Sequence, residues 1–268
     1  MTELTPLTEA QDAPAHGDII WITGASSGLG RALALLLAQQ GHWVVASARN
    51  RKALQQLAAD NPGPGRIFTL PLDVTQSDCV HCAAKLISAT LGRLDKLVAN
   101  AGGCEYLDFP DPDWGAIERV FAVNFTGALN TIQAALPLLR KSPRRGHIVG
   151  VVSQAVKAPF TRAEGYGASK AAFDYFLQSL RLDLAQQIDV SCIYPGFIDT
   201  PLTANNDFPM PFLMSPEAAA QRVAGAIKQR AISLSFPRRL SVVLWLATIF
   251  PGAWRHLMKN KNSRGARP

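Results

Sequence analysis

Tyr166 and Lys170 stand four residues apart in Tyr166-Gly167-Ala168-Ser169-Lys170, and Ser153 lies thirteen residues upstream. On a helix that spacing puts phenol and ammonium on one face, a turn from each other. A neighbouring positive charge favours the phenolate, so the spacing predicts a tyrosine pKa drawn from about 10 toward neutrality. Such a phenol can give and take a proton at working pH, and a serine hydroxyl beside it can hold a substrate oxygen. The same residues also fit an ordinary pair on a helix surface, so their meaning depends on the elements that carry them.

Those elements alternate between strand and helix. The apolar run Asp18–Thr23 predicts a buried strand, followed by the turn Thr23-Gly24-Ala25-Ser26-Ser27-Gly28-Leu29-Gly30 and an Ala/Leu-rich helix over 31–40. Strand, glycine turn and helix in that order is the setting of a dinucleotide-binding fingerprint. Gly24 permits the tight turn, Gly28 lets backbone approach a phosphate, and Gly30 seats helix on strand, with the helix-start amides facing a pyrophosphate. Further strands are predicted over 42–48, 66–70, 94–99, 147–152, 189–194 and 232–236. Helices are predicted over 76–91, from Trp114 to Arg140 with a kink near Pro137, over 165–187, and from Ser215. The pattern is an α/β, Rossmann-like, doubly wound, mainly parallel seven-stranded sheet with helices on both faces.

The site candidates cluster at the carboxyl ends of these strands, where open parallel sheets bind ligands. After the second strand an acid would accept from the adenosine ribose and repel a 2′-phosphate. This chain instead has Ala48-Arg49-Asn50-Arg51, and Arg49 can pair with a 2′-phosphate. The sequence therefore favours NADP(H), with NAD(H) as the alternative. Asp73 can accept from an adenine amino group or cap the helix that follows it. Asn100-Ala101-Gly102-Gly103 is small enough for a cofactor to lie against the backbone. Asn124 is a polar residue in an apolar helix, a type that usually bonds locally. Thr200–Met214, rich in Pro, Asn and Phe, is expected to be a lid.

Taken together, T-G-A-S-S-G-L-G, L-D-V, N-A-G, Asn124, Ser153, Y-G-A-S-K and P-G-F-I-D-T resemble the short-chain dehydrogenase/reductase family from about Ile19 to Phe236. The resemblance implies Tyr166 as general acid/base, Lys170 on the nicotinamide ribose, Ser153 on the substrate oxygen, and Asn124 supporting a water that relays protons to Lys170. It implies a cofactor site made by Gly24, Ser26, Ser27, Gly28, Leu29, Gly30, Arg49, Asp73, Val74, Asn100, Ala101, Gly102, Pro195, Gly196, Ile198 and Thr200, besides Tyr166 and Lys170. The implied activity is hydride transfer between a nicotinamide and a carbonyl or secondary alcohol. Ala99 replaces the first asparagine of the family's N-N-A-G. Gln154-Ala155-Val156 stands where many members have a glycine, which predicts an altered pocket wall. Gln154, Phe160, Phe197, Phe208 and Phe212 are candidate walls, so a hydrophobic ketone or lipid-like alcohol is expected in preference to a sugar. The alternative is a dinucleotide-binding sensor or scaffold without catalysis, which would not need Ser153, Tyr166, Lys170 and Asn124 together.

Composition limits the remaining possibilities. The chain has 268 residues, a length one α/β domain can fill. Cys79, Cys82, Cys104 and Cys192 do not form a disulfide framework, and Cys79-x-x-Cys82 lacks a second pair, so no metal site is expected. Residues 1–17 are polar and acidic, lack a signal-peptide pattern, and read as a disordered lead-in to a cytoplasmic protein. Residues 18–236 read as the oxidoreductase domain, a homo-oligomer (dimer or tetramer). The net charge is +7, and ten basic residues but no acid follow Glu217. The segment 237–268 joins an apolar run, Leu240–Phe250, to this basic tail. It is too short to cross a bilayer. It can pack over the substrate pocket, meet a second subunit, or lie at the inner face of a membrane through residues 238–268. Nucleic acid is not an expected partner, because the tail has no reading element.

Overall fold

The structure is a computed structural model that describes residues 17–204 and 206–259. The lead-in, Gly17 apart, and the tail beyond Lys259 lie outside the described residues. Seven strands form one sheet: β1 (Ile19–Thr23), β2 (Trp43–Ala48), β3 (Arg66–Pro71), β4 (Lys96–Ala99), β5 (Gly146–Val151), β6 (Ile188–Pro195) and β7 (Ser233–Phe236). Their order is β3-β2-β1-β4-β5-β6-β7, and all six pairings are parallel. β1 is buried throughout because helices cover both faces of the sheet. That is why Ile19-Ile20-Trp21-Ile22 is a continuous apolar run with no alternation.

The helices are α1 (Gly28–Gln39), α2 (Arg51–Ala59), α3 (Ser77–Leu91), α4 (Gly115–Phe121), α5 (Gly127–Leu139), α6 (Glu164–Leu184), α7 (Pro216–Gln229), α8 (Arg238–Ile249) and α9 (Pro251–Lys259). One core lies under α3, α5 and α6, and the second under α1, α2 and α7. A third, smaller cluster holds α8 and α9 against Ala158, Phe160 and Phe197.

The structure adds three features to the sequence expectation. α2 follows β2 directly, capped by Asn50, whose side chain accepts from Ala53 N at 3.0 Å. The long helix expected from Trp114 is interrupted by a π-helical turn, Ala122–Thr126, and Pro137 sits in the last turn of α5. The apolar C-terminal run is one arm of a helical hairpin whose second arm, α9, buries Trp254.

The β1–β4 junction is where the strand order reverses, with β2 and β3 running to one side and β5, β6 and β7 to the other. Connections there diverge above and below the sheet and leave a crevice at its carboxyl edge.

Candidate active site

Ser153 follows β5 in extended backbone, and its Oγ accepts from Ala155 N at 3.1 Å at the start of a short 3-10 turn. α6 then delivers Tyr166 and Lys170 from its first two turns to the same place. The Ser153 hydroxyl lies near that of Tyr166 and favours its ionised form. The Lys170 ammonium donates to Val151 O at 2.8 Å and is almost wholly buried. The triad therefore sits at the carboxyl end of β5, beside the loop that follows β4.

The acidic phenol expected from the sequence is corrected by this geometry. Tyr166 keeps part of its ring open to the cleft, but its hydroxyl lies deep. Burial raises its pKa to about 12, with the nearby Ser153 hydroxyl acting in the opposite direction. Burial also lowers Lys170 to about 8, the nearby Cys104 opposing the shift. Desolvation disfavours the charged form of each group. A lysine that is itself pressed toward neutrality draws little on the phenol.

The glycine turn faces the same crevice from β1. Gly28 has φ +52°, and a Cβ there would stand 2.7 Å from Thr200 Cγ2. A Cβ on Gly30 would meet the Gly24 carbonyl oxygen at 2.3 Å, so only glycine lets α1 approach β1 this closely. Ser27 precedes α1 without a side-chain cap, and the first turn carries no acid. Its amides and dipole are left for an anion. Asn100 locks the turn to β4, its Nδ2 donating to Thr23 O at 2.9 Å and Gly24 O at 3.2 Å.

One cleft of about 1490 Å³ joins these parts. Of the residues singled out in the sequence, Gly24, Ser26, Ser27, Gly28, Leu29, Gly30, Arg49, Val74, Asn100, Ala101 and Gly102 line it, as do Ser153, Tyr166, Lys170, Pro195, Gly196, Ile198 and Thr200. Arg49 is exposed at the rim and makes no ion pair among the described residues. Three candidates fall elsewhere. Asp73 turns inward on its own loop, its Oδ1 accepting from Thr75 N at 3.0 Å and Thr75 Oγ1 at 2.8 Å. It neither lines the cleft nor caps α3, whose N-cap is Gln76. Asn124 lies behind the wall. Its Oδ1 accepts from Gly103 N at 2.7 Å, and its Nδ2 donates to Gly103 O at 2.9 Å and Ser169 Oγ at 3.0 Å. Its side chain thus ties the loop after β4 to α6. Phe212 is exposed with φ +61° and stays outside the cleft.

Gln154, Phe160, Phe197 and Phe208 do line the cleft, together with Cys104, Tyr106 and Arg162, which sequence reasoning missed, and with Val243, Leu244, Trp254, Leu257 and Met258 of the C-terminal segment, for which a place over the pocket was one of the expected alternatives. The loop 104–113 and the lid 200–214 offered no periodicity that would single out Tyr106 or Arg162. The hairpin residues carried a legible signal, apolar positions at helical spacing, but nothing in that spacing says which surface they cover.

The residues suit a nicotinamide dinucleotide: an uncapped helix start beside glycines where a Cβ would fill the space, and a long cleft that Ser153, Tyr166 and Lys170 also line. The fold and site define a dinucleotide-dependent oxidoreductase. Residues 18–209 match the short chain dehydrogenase family, and the chain belongs to it. It is 39% identical to an uncharacterized oxidoreductase of Myxococcus xanthus over 232 residues, covering 86% of this chain and 91% of that protein. It is 34% identical over 196 residues to 11-beta-hydroxysteroid dehydrogenase 1A of Arabidopsis thaliana, covering 72% of this chain and 56% of the longer plant protein. The crystal structure of a short chain dehydrogenase/reductase from Burkholderia phymatum in complex with NAD superimposes with TM-score 0.80 at 20% identity, covering 91% of this chain and 97% of that one. This last likeness is one of fold.

Proposed function

We propose that this oxidoreductase is an NADP(H)-dependent reductase of apolar carbonyl compounds, reversible toward the secondary alcohol. The observation that carries the reading is that Ser153, Tyr166 and Lys170 line one cleft together with the glycine turn and with Phe160, Phe197, Phe208 and Leu244. When bound, the dinucleotide supplies the hydride. Ser153 holds the carbonyl oxygen, and the Tyr166 hydroxyl donates a proton to the alkoxide as it develops. A phenol held protonated by burial is suited to giving its proton in the direction of reduction. Lys170, close behind Gly102, would hold the nicotinamide ribose. Asn124 acts as a positioning residue through Gly103 and Ser169, and the backbone around it is the place for the proton-relaying water.

Arg49, free of an acidic partner at the rim beside β2, supports the choice of NADP(H). Phe160, Phe197, Phe208 and Leu244 support an apolar substrate, as does the name of the plant relative, whose substrate class is a steroid. We place the enzyme in the cytoplasm as a homo-oligomer, with Tyr175 and Leu182 exposed on α6 as an apolar face for a second copy. The C-terminal hairpin is its point of contact with a membrane.

The test is a panel of ketones and aldehydes read by loss of NADPH or NADH absorbance. Turnover of apolar ketones with NADPH, lost by at least about tenfold with NADH, is the expected result. In the Arg49→Ala variant the Kd for NADPH should rise by about tenfold, as for a lost charge-assisted hydrogen bond, and that for NADH should hardly change. An equal effect on both cofactors, or a preference for sugars, would overturn the reading.

A further inference from the structure

We propose that the α8–α9 hairpin docks onto an anionic lipid leaflet and that the substrate limb of the cleft opens onto that docking face. The second half of this proposal rests on the assignment of an apolar substrate. The first half stands on the hairpin alone.

α8 has two apolar faces. Leu240, Leu244 and Ala247 point inward and pack with Trp254 against Phe160 and Phe197. Val242, Trp245, Leu246 and Ile249 recur at helical spacing on the other side, all exposed, Trp245 to 60%. A helix with only water outside would present polar residues along that stripe, and a contiguous exposed apolar surface marks a partner. Two residues join the stripe to the active-site cleft. Val243 and Leu257 line the cleft and are also 42% and 52% exposed, so the cleft's outer rim is part of the apolar surface. A substrate dissolved in whatever covers that surface reaches the cleft without crossing water.

Charge identifies the cover. Arg238 and Arg239 open α8, while Arg255 and Lys259 lie on α9, all four exposed. Lys261, Arg264 and Arg267 follow in the sequence, and no acid stands anywhere after Glu217. A second copy docked symmetrically would bring this basic rim against itself with no carboxylate from the same segment to receive it. A leaflet bearing phosphate headgroups offers apolar depth and negative charge together. Among the described residues no helix is long and apolar enough to cross a membrane. With 12 residues in α8, at about 1.5 Å per residue, the hairpin has the dimensions to lie in the plane of an interface.

The experiment uses the full chain in co-sedimentation with vesicles of phosphatidylcholine alone or mixed with phosphatidylglycerol, at low and high salt. The comparison is a Val242→Glu/Trp245→Glu double variant, whose altered side chains face outward and do not line the cleft. Expected is binding to the anionic vesicles that weakens at least about tenfold on neutral vesicles, at high salt, or in the double variant. The variant should turn over a water-soluble aldehyde with NADPH at the wild-type rate, and a long-chain ketone dissolved in anionic vesicles several-fold more slowly. Three results would overturn docking: no binding to anionic vesicles, binding unchanged in the variant, or a wild-type dimer that the variant dissolves without vesicle binding. Vesicle binding with no turnover of any ketone would instead overturn the substrate assignment and leave the docking face standing.

Discussion

Tyr166 and Lys170 show that two neighbouring ionisable groups do not automatically activate each other. The i, i+4 spacing is what the sequence displays, and the depth of the hydroxyl and ammonium is what it hides. Burial moves the phenol up and the ammonium down, against the shift that a charge pair in water would give. Two predictions follow from this depth. Replacing Tyr166 by Phe removes only the hydroxyl. The NADPH Kd should stay within about twofold, while kcat for ketone reduction falls by about 10²–10⁴, the usual worth of a general acid. Stopped-flow reduction and fluorescence titration would separate the two. For Lys170, folding depresses the pKa from 10.5 to about 8. Below pH 8 the lysine is charged in folded and unfolded chains alike, and its burial penalty is fully present. Between pH 8 and about 10.5 the unfolded chain holds the proton that the folded chain has released, so stability rises with pH. Lys170→Met should therefore stabilise the cofactor-free protein at pH 7. The penalty removed is about 3 kcal/mol at 1.36 per pKa unit, and the lost bond to Val151 O returns about 1 kcal/mol or more of it. Thermal melts should show that gain shrinking as pH approaches 10.5, with turnover absent throughout.

At the scale of elements, the site depends on how closely α1 and α6 are brought to the strand ends. Gly30 carries the α1 approach. A methyl there would meet Gly24 O at 2.3 Å and Asn100 Nδ2 at 2.6 Å, and backbone cannot yield that distance cheaply. Gly30→Ala should cost about 1–3 kcal/mol of stability as overpacking, and it should weaken dinucleotide binding by more than tenfold because the whole helix start moves. Urea melts and calorimetric titration would check both. The same elements show what was legible in the sequence. The strands and the glycine turn could be read because buried parallel strands leave unbroken apolar runs and a tight turn needs residues without Cβ. α2 escaped because Arg51-Lys52-Ala53-Leu54-Gln55-Gln56-Leu57 buries only Leu54 and Leu57 and reads as a polar connection. The π-turn at 122–126 escaped because one extra residue in a helical turn leaves no compositional mark. It is nonetheless what carries Asn124 to Gly103 and Ser169. Asp73 was readable as a helix cap and as an adenine partner, and its bonds to Thr75 hold it in a turn of its own loop instead.

Over the whole molecule, the cleft is closed by segments distant in sequence that meet at Arg162. This residue has φ +66°, a conformation a side chain adopts at some cost. Its Nε donates to Asp108 Oδ1 at 2.5 Å and its Nη1 to Asp207 Oδ1 at 2.7 Å. Its guanidinium also lies 5.2 Å from the Tyr106 ring centroid. Tyr106 in turn donates to Asn206 Oδ1 at 2.7 Å and meets Phe208 edge-on. Arg162 is thus a clasp between the loop 104–113 and the segment that carries Asn206, Asp207 and Phe208, at the wall of the cleft, and nothing in the spacing of Asp108, Arg162 and Asp207 announces it. Both carboxylates are mostly exposed, and exposed ion pairs contribute at most about 1 kcal/mol to stability. The effect of breaking them should therefore appear in catalysis and hardly at all in melting. Arg162→Ala is expected to leave the denaturation midpoint nearly unchanged. It should raise KM for an apolar ketone several-fold, as a loosened lid loses hold of substrate, without altering the Kd for NADPH, whose contacts lie at the other end of the cleft. Steady-state kinetics beside a cofactor titration would separate these. A rise in NADPH Kd equal to the rise in KM would mean that the clasp supports the whole cleft and not the substrate end alone.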